Sequence, residues 1–470
     1  MALGESSTAY VAEFIGTYML VFTVGCNVLT GSKIWLATSV ACVLMVCVYC
    51  FGDVSGAHLN PAVSIAHGLA GRKSWKGKWK EVGIYCGVQI LAGLMAGFSY
   101  GLVLWEVFTL EPGRRTTSEA YRWWELGLAE MLYTALLCFV ALQVSPKDQP
   151  ALLDQQTRTY NNVYGNQYYG IAVGFVFLAA VPGAGHLTGA GFCPLNPAIA
   201  LGIDMSSMLQ GFYWWICYTA FELMGACLGA FLFKLTDVLD VTNRLGSEIQ
   251  LKPKLIAEGV GSFFLVLTAG LNVIGGSNAP VFSIAAVLMV LIFALGHVSG
   301  GHFNPAVTLA VLLRGGYIVS SDAACYMVAQ FVGGIVGGLT YSMLEHGRTF
   351  PLNIGDGFGW SQVAVAEIVF TFVLCYVVLA VACVRQEKKL KQLFGFAIGS
   401  CVTAGGIAIG NISGGVLNPA VAFSVALASL FSGGNFWHFL PYMCFQFVGA
   451  ALAAGVFVLT RPSEYAKTVG

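Results

Sequence analysis

Long apolar runs set the first limit on how this chain can fold. Residues 11–26, 35–51 and 87–105 are almost wholly apolar. Such runs approach or reach the roughly 20 residues that a helix needs to cross the hydrocarbon core of a bilayer. Only 10% of the residues are charged, against about 25% in a soluble domain. The sequence therefore predicts an all-α membrane protein, with spans near residues 8–28, 33–52, 80–104, 125–145, 168–184, 211–234, 254–274, 280–299, 322–344, 361–384, 392–411 and 436–460.

Charge and side-chain chemistry exclude several classes of function. Lys+Arg and Asp+Glu both number 23, so nothing indicates a nucleic-acid partner. The first run contains Glu13 and lacks both a basic n-region and a cleavage site, so we interpret it as a retained span and not as a signal peptide. No nucleophile, base or metal-ligand cluster is evident, and we expect no enzymatic activity, no metal and no cofactor.

One motif recurs through the chain. Each copy of Asn-Pro-Ala follows an apolar span that carries an acid in a similar phrase, such as AEFIGT at 12–17. The triplets are Asn60, Pro61 and Ala62; Asn196, Pro197 and Ala198; Asn304, Pro305 and Ala306; and Asn418, Pro419 and Ala420. The acids are Glu13, Glu130, Glu258 and Glu367. The spacing from Glu13 to Glu258 is 245 residues, and that from Asn60 to Asn304 is 244. The chain is thus predicted to be a duplication, with domains at 1–235 and 254–470 joined by a cytoplasmic linker at 236–253.

The number of spans predicts the orientation of the repeats. Each half-domain has about three spans, so its two halves enter the bilayer in opposite directions. Each domain has six, so the two domains are parallel. The basic segments 71–80, 234–254 and 385–391 then lie on one side, which the positive-inside rule places in the cytoplasm together with both termini. The expected location is the plasma membrane or an endomembrane.

The residues after each triplet predict a re-entrant half-helix. About eleven apolar residues follow Asn60 before the basic segment begins, too few to span a bilayer and too apolar for an exposed loop. Asn is a favoured N-cap, Pro is favoured at the first helical position, and Ala is the best helix former. The cap leaves the Asn NH₂ as a donor. Two helix N-termini meeting at the midplane disfavour cations and suit neutral solutes with oxygen lone pairs.

These motifs together resemble the major intrinsic protein family, the aquaporins and aquaglyceroporins. The phrases are SGAHLNPAV, LTGAGFCPLNPAI, SGGHFNPAV and SGGVLNPAV, each with its acid. The match to the family covers essentially the whole chain. The resemblance implies two fused bundles in the lipid bilayer, each of six transmembrane helices and two half-helices. It implies a passive channel in which the four acids brace the pore loops. Relatives assemble as tetramers, so a homodimer giving four pores is expected.

The chain departs from this family at the outer filter. Most relatives follow the second triplet with Arg, whereas this chain has Ile199 and Val421. The resemblance places the other filter positions at Val40, Val181 and Cys193 in the first domain and at Ile284, Gly406 and Gly415 in the second. The first filter should be a hydrophobic collar that can dewet and close, and the second should be wide. We expect water or neutral solutes such as glycerol, urea and ammonia to pass, with weaker exclusion of protons and cations.

Three alternatives stay open from the sequence. Cys193 either lines the first pore and confers sensitivity to mercurials, or is a small packing residue. A structural or adhesive membrane protein could keep the fold without conduction, although it would not need all four Asn residues. A secondary transporter would normally need charged groups near the midplane, and the only regular buried acids are the four repeated glutamates.

Overall fold

The computed structural model describes residues 5–31, 34–71, 75–145, 166–237, 250–385, 392–430 and 432–465. Several positions used above for orientation lie outside the described residues. They are Arg72, Lys73, Arg244, Lys388, Lys389 and Lys391, together with residues 238–249 of the predicted linker.

The chain divides into two compact units with the same order of helices. The first comprises Met1–Leu235 with Ser277–Ala279, and the second comprises Thr236–Gly276 with Pro280–Gly470. The first eight helices are α1 Glu5–Thr30, α2 Leu36–Ser55, α3 Pro61–Ala70, α4 Trp79–Leu104, α5 Trp123–Val144, α6 Tyr169–Ala184, α7 Pro197–Ser206 and α8 Trp214–Thr236. The next eight are α9 Leu251–Ile274, α10 Pro280–Leu295, α11 Pro305–Arg314, α12 Ser320–Leu344, α13 Trp360–Ala382, α14 Phe394–Ser413, α15 Pro419–Leu430 and α16 Phe439–Thr460.

Every predicted span coincides with a helix, which confirms the all-α architecture. In the described ranges, eleven helices are long and apolar enough to cross a membrane. The twelfth, α10, has only 16 residues. Its helical hydrogen bonding nevertheless continues as turns, because the N–H of Gly296 donates to Ile292 O at 2.8 Å and that of Gly300 donates to Gly296 O at 3.1 Å. The chain therefore continues in turns as far as Ser299, the predicted end of this span, although the regular helix ends at Leu295.

Glycine allows the half-helices to pack directly against the long helices. A Cβ atom added to Gly97 on α4 would collide with the carbonyl oxygen of Gly202 on α7. One added to Gly202 would lie 2.6 Å from the carbonyl oxygen of Gly93, closer than real Cβ atoms approach. The backbones of α4 and α7 are thus in contact, the kind of approach that small residues permit between membrane helices.

This contact predicts that a Gly→Ala substitution has different effects on stability at two sites on α4. Gly97→Ala should lower the free energy of unfolding by about 1–3 kcal/mol, because the new methyl group forces α4 away from α7. Gly101→Ala is the matched control, since its Cβ would meet nothing closer than Ser206 Cβ at 3.8 Å. The control should be neutral or slightly stabilising. Thermal unfolding in detergent measures both, and equal midpoints would contradict the close packing.

Candidate functional site

Each Asn-Pro-Ala triplet begins a short helix of 10 or 12 residues, namely α3, α7, α11 and α15. In every copy the Asn Oδ1 accepts a hydrogen bond from the N–H of the Ala two residues later, at 2.8 or 2.9 Å. The intervening Pro occupies the first helical position, where no N–H is needed. The local chemistry of the triplets thus starts two short helices within each unit.

The residue before each Asn has a left-handed backbone. Their φ values lie between 50° and 54°, a conformation that costs a non-glycine residue about 1–2 kcal/mol. The four residues are Leu59, Leu195, Phe303 and Leu417. In all four, the carbonyl oxygen accepts a hydrogen bond from the opposite re-entrant loop.

A reciprocal pair of hydrogen bonds joins the two re-entrant loops of each unit. In the first unit, Asn60 Nδ2 donates to Leu195 O at 2.8 Å and Asn196 Nδ2 donates to Leu59 O at 2.9 Å. The second unit repeats this clasp from Asn304 to Leu417 O at 2.8 Å and from Asn418 to Phe303 O at 2.9 Å. Sequence reasoning left both amide hydrogens free for solute, whereas the clasp uses one of them and leaves one.

Three of the repeated acids are buried beneath their loops, where each accepts four hydrogen bonds. Glu258 accepts from Ser299 Oγ at 2.6 Å, from the N–H groups of His302 and Phe303 at 3.0 and 2.6 Å, and from Gln330 Nε2 at 2.8 Å. Glu13 and Glu367 have the equivalent four donors. A buried carboxylate satisfied in this way fixes the two residues that precede each triplet.

The fourth acid is bound differently. Glu130 accepts the Leu195 N–H at 3.0 Å, while the adjacent Asn196 N–H donates at 2.7 Å to a second acid, Glu222 on α8. Glu222 is fully buried. Sequence reasoning missed it, although a comparison of the four repeats would have shown it, because Gln89, Gln330 and Gln446 stand at the equivalent position.

A cavity of about 460 Å³ lies within the second unit. All four predicted filter positions of that unit line it, namely Ile284, Gly406, Gly415 and Val421. Asn304 and Asn418 line it as well, so the two half-helix starts face the same space. Asn353 and Asn411 add exposed amide groups to its wall.

The filter positions of the first unit have a different environment. Val40 and Ile199 have 0% exposure, Cys193 has 1% and Val181 has 5%. Ile284, Gly406, Gly415 and Val421 in the second unit are all partly exposed. Water can therefore reach almost none of these four side chains in the first unit, whereas it can reach all four predicted positions of the second unit.

Six apolar helices and two clasped half-helices in each unit define a multi-pass membrane protein. A family model described as "Major intrinsic protein" matches residues 3–148, 116–270 and 247–459. The chain belongs to this family, and it carries the family's domain in tandem. The resemblance seen in the sequence is thereby confirmed.

Individual relatives agree with this assignment. The chain is 34% identical over 219 residues to the probable aquaporin TIP4-1 of Oryza sativa subsp. japonica, covering 43% of this chain and 84% of that protein. It is 32% identical over 221 residues to nodulin-26 of Glycine max, covering 45% and 79%. It is 34% identical over 203 residues to the probable aquaporin AqpM of Archaeoglobus fulgidus, covering 40% and 79%. Each match is less than half of this chain.

The clasp predicts a cost for losing one amide hydrogen. Asn418→Asp keeps an oxygen that can accept the Ala420 N–H, but it removes the donor to Phe303 O. We expect the free energy of unfolding to fall by about 1–3 kcal/mol, because the buried Phe303 carbonyl loses the shorter of its two hydrogen bonds and keeps only that from Ser262 Oγ at 3.4 Å. Asn435→Asp is the matched control, since Asn435 also caps a helix, through Trp437 N–H at 3.2 Å, but is exposed. Equal losses in chemical denaturation of the two variants would argue against the clasp.

Proposed function

We propose that the protein is a passive channel for water and small neutral solutes, and that its second unit carries the flux. The observation that carries this proposal is the cavity of the second unit, which is lined by all four filter positions and by both half-helix Asn residues. Membership of the major intrinsic protein family supports the general class of membrane channel. The probable aquaporins among its relatives support water as one permeant.

Electrostatics favours neutral solutes over ions in this cavity. The N-terminal end of a helix carries roughly half a positive charge, and Asn304 and Asn418 at the starts of α11 and α15 both line the cavity. A cation passing between them meets two positive ends, whereas a neutral hydroxyl or amide can accept a hydrogen bond. None of the lining residues is Asp, Glu, Lys or Arg, so no carboxylate offsets this barrier.

Side-chain size at the filter favours solutes larger than water. Gly406 and Gly415 place no side chain in the cavity, and Val421 stands where most relatives have Arg. Losing that Arg removes a strong donor and a fixed cation. Glycerol, urea and ammonia are therefore the proposed permeants beside water, with weaker exclusion of protons and cations than an Arg-bearing filter gives.

The first unit has a structural role in this proposal. Its collar of Val40, Val181, Cys193 and Ile199 is apolar and buried, and it lacks the glycine residues that widen the second filter. Entry of a polar solute would require these side chains to separate and to wet an apolar surface, which costs free energy. A non-conducting role, kept open from the sequence for the whole protein, is thus proposed here for the first unit.

Matched cysteine variants distinguish the two units. Val421→Cys and Ile199→Cys place a thiol at the same filter position of each unit, and both are compared with the unsubstituted chain in proteoliposomes. A methanethiosulfonate reagent should reduce the swelling rate of Val421→Cys to that of protein-free vesicles. It should leave the other two proteins unchanged, because Ile199 has no exposed surface. Light scattering during osmotic and glycerol-driven swelling measures the rates.

Other outcomes would reject specific parts of this proposal. If the methanethiosulfonate reagent slowed the swelling of both cysteine variants, the first unit would also conduct. Inhibition of the unsubstituted chain that disappears in Cys193→Ser would identify Cys193 as a thiol lining an open first pore. An unsubstituted chain that passes neither water nor glycerol would reject the channel proposal itself.

We also propose that two chains assemble into a homodimer with four domains of the major intrinsic protein type, with both termini in the cytoplasm. The support is the tandem domain and the tetrameric assembly implied by the family resemblance. The detergent-corrected mass should be twice the 49.9 kDa of one chain. A mass of one chain, or of four, would contradict the homodimer.

A further inference from the structure

The acid pair Glu130 and Glu222 departs from a pattern that holds at the three equivalent positions. There, a glutamine amide donates to the repeated acid, at 2.8 Å from Gln89 to Glu13, 2.8 Å from Gln330 to Glu258 and 2.9 Å from Gln446 to Glu367. Glu222 occupies the glutamine position on α8, and a carboxylate has no hydrogen to donate. One donor is therefore missing where the other three repeats have one.

Two further donors to Glu130 are missing for reasons visible in the sequence. The serine five residues before the triplet, which donates to the acid in the other repeats, is replaced by Gly191. The backbone N–H two residues before the Asn also donates there, but that position is Pro194, which has none. Glu130 thus keeps one of the four donors that its counterparts have.

The two carboxyl groups lie side by side and are incompletely satisfied. The amides that bind them, Leu195 N and Asn196 N, are consecutive in the chain. Glu130 is 1% exposed and Glu222 is 0% exposed. Among the described residues, Glu130 Oε1 and Glu222 Oε2 are buried oxygens without a hydrogen-bond partner. Two adjacent carboxylates in such a place would repel each other without water to screen them.

The groups around the pair supply no compensating positive charge. They are the thiols of Cys138 on α5 and Cys193 in the second loop, the phenol of Tyr218 on α8 and, beyond it, the carboxyl group of Asp204 on α7. In the part of the chain that the structure describes, neither acid forms an ion pair. The remaining way to relieve the repulsion within the protein is a proton.

We propose that Glu130 and Glu222 form a proton-binding site in which one proton, taken from solvent, is shared between the two carboxyl groups. Protonated Glu222 donates from Oε2 to Glu130, as the glutamine amide does in the other repeats. The proton thereby holds the segment 193–199 of the first unit, which carries the clasp residue Asn196 and the collar residues Cys193 and Ile199.

The sign of the pH dependence follows from this arrangement. While the proton is bound, the second loop has its brace. As the pH rises far enough to remove the proton, two buried like charges face each other and the loop loosens. Glu222→Gln should abolish this dependence, because its amide stays an uncharged donor at every pH. The proposal concerns the loop and holds whether or not either unit conducts solute.

Infrared spectroscopy of the full chain in lipid tests the proton directly. A protonated carboxyl group has a carbonyl stretching band that shifts in D₂O. The difference spectrum at neutral pH between the unsubstituted chain and Glu222→Gln should contain this band, and Glu130→Gln should give it too. Gln446→Glu, the reverse change in the second unit, should add a band of this kind beside Glu367. Identical spectra for the unsubstituted chain and both single variants would overturn the proposal.

Labelling of Cys193 tests the consequence for the loop. Modification by a small thiol reagent, followed by mass spectrometry of the peptide, is compared at neutral and alkaline pH. The unsubstituted chain should be labelled about tenfold faster than Glu222→Gln at alkaline pH and equally at neutral pH. A negative charge on Glu222 would by itself disfavour the Cys193 thiolate, so faster labelling of the unsubstituted chain would report the loosened loop and not easier ionisation of the thiol. Equal rates at every pH would contradict a role of the proton in holding the loop.

A metal cation such as Na⁺ or Ca²⁺ is the competing occupant of the site between Glu130 and Glu222. The unsubstituted chain and Glu222→Gln distinguish a cation from a proton. If a cation bridged the two carboxylates, the thermal midpoint of the unsubstituted chain would rise with Na⁺ or Ca²⁺ at constant ionic strength. That of Glu222→Gln would not. A cation-dependent midpoint without a protonated-carboxyl band would replace the proton with a cation and overturn the proposal.

Discussion

The hydrogen bonding of backbone that turns back inside a membrane is the constraint on which this structure depends. A re-entrant loop exposes N–H and C=O groups at a depth where lipid offers no partner. Here buried carboxylates accept the N–H groups before each triplet, the Asn side chain accepts the first N–H of the half-helix, and the Asn amide satisfies a carbonyl of the opposite loop. Each loop is therefore complete only when an acid lies beneath it and the second loop lies opposite.

With the backbone clasped in the same way, the two units differ in the side chains at their predicted filter positions. Both units have the same clasp of two hydrogen bonds, and all four bonds have nearly equal lengths. In the second unit, two filter positions are glycine and a cavity remains. In the first, branched aliphatic side chains and a thiol fill the equivalent space. The first unit thus keeps the same clasp as the second, although its predicted filter positions are buried.

Local signals in the sequence were sufficient to predict much of this fold. Apolar run length located the spans, and the N-cap chemistry of Asn60 and its equivalents predicted the half-helix starts, because these depend on near neighbours. The shortness of α10 was not predicted, since turns replace its last helical residues. The clasp was also missed, because it joins Asn60 to a carbonyl 135 residues away. Glu222 was not predicted, because it lies outside the acids and triplets that define the repeats.

The distance spanned by the clasp has a consequence for biosynthesis. Asn60 and its acceptor are separated by 135 residues, and Asn304 and its acceptor by 113. A ribosome therefore releases the first re-entrant loop of each unit long before its partner exists, and until then the carbonyl of Leu59 or Phe303 lacks its Asn donor. The non-local pairing makes closure of each unit a late and cooperative step. The inverted halves are thus one unit of folding, although each carries a full set of local signals.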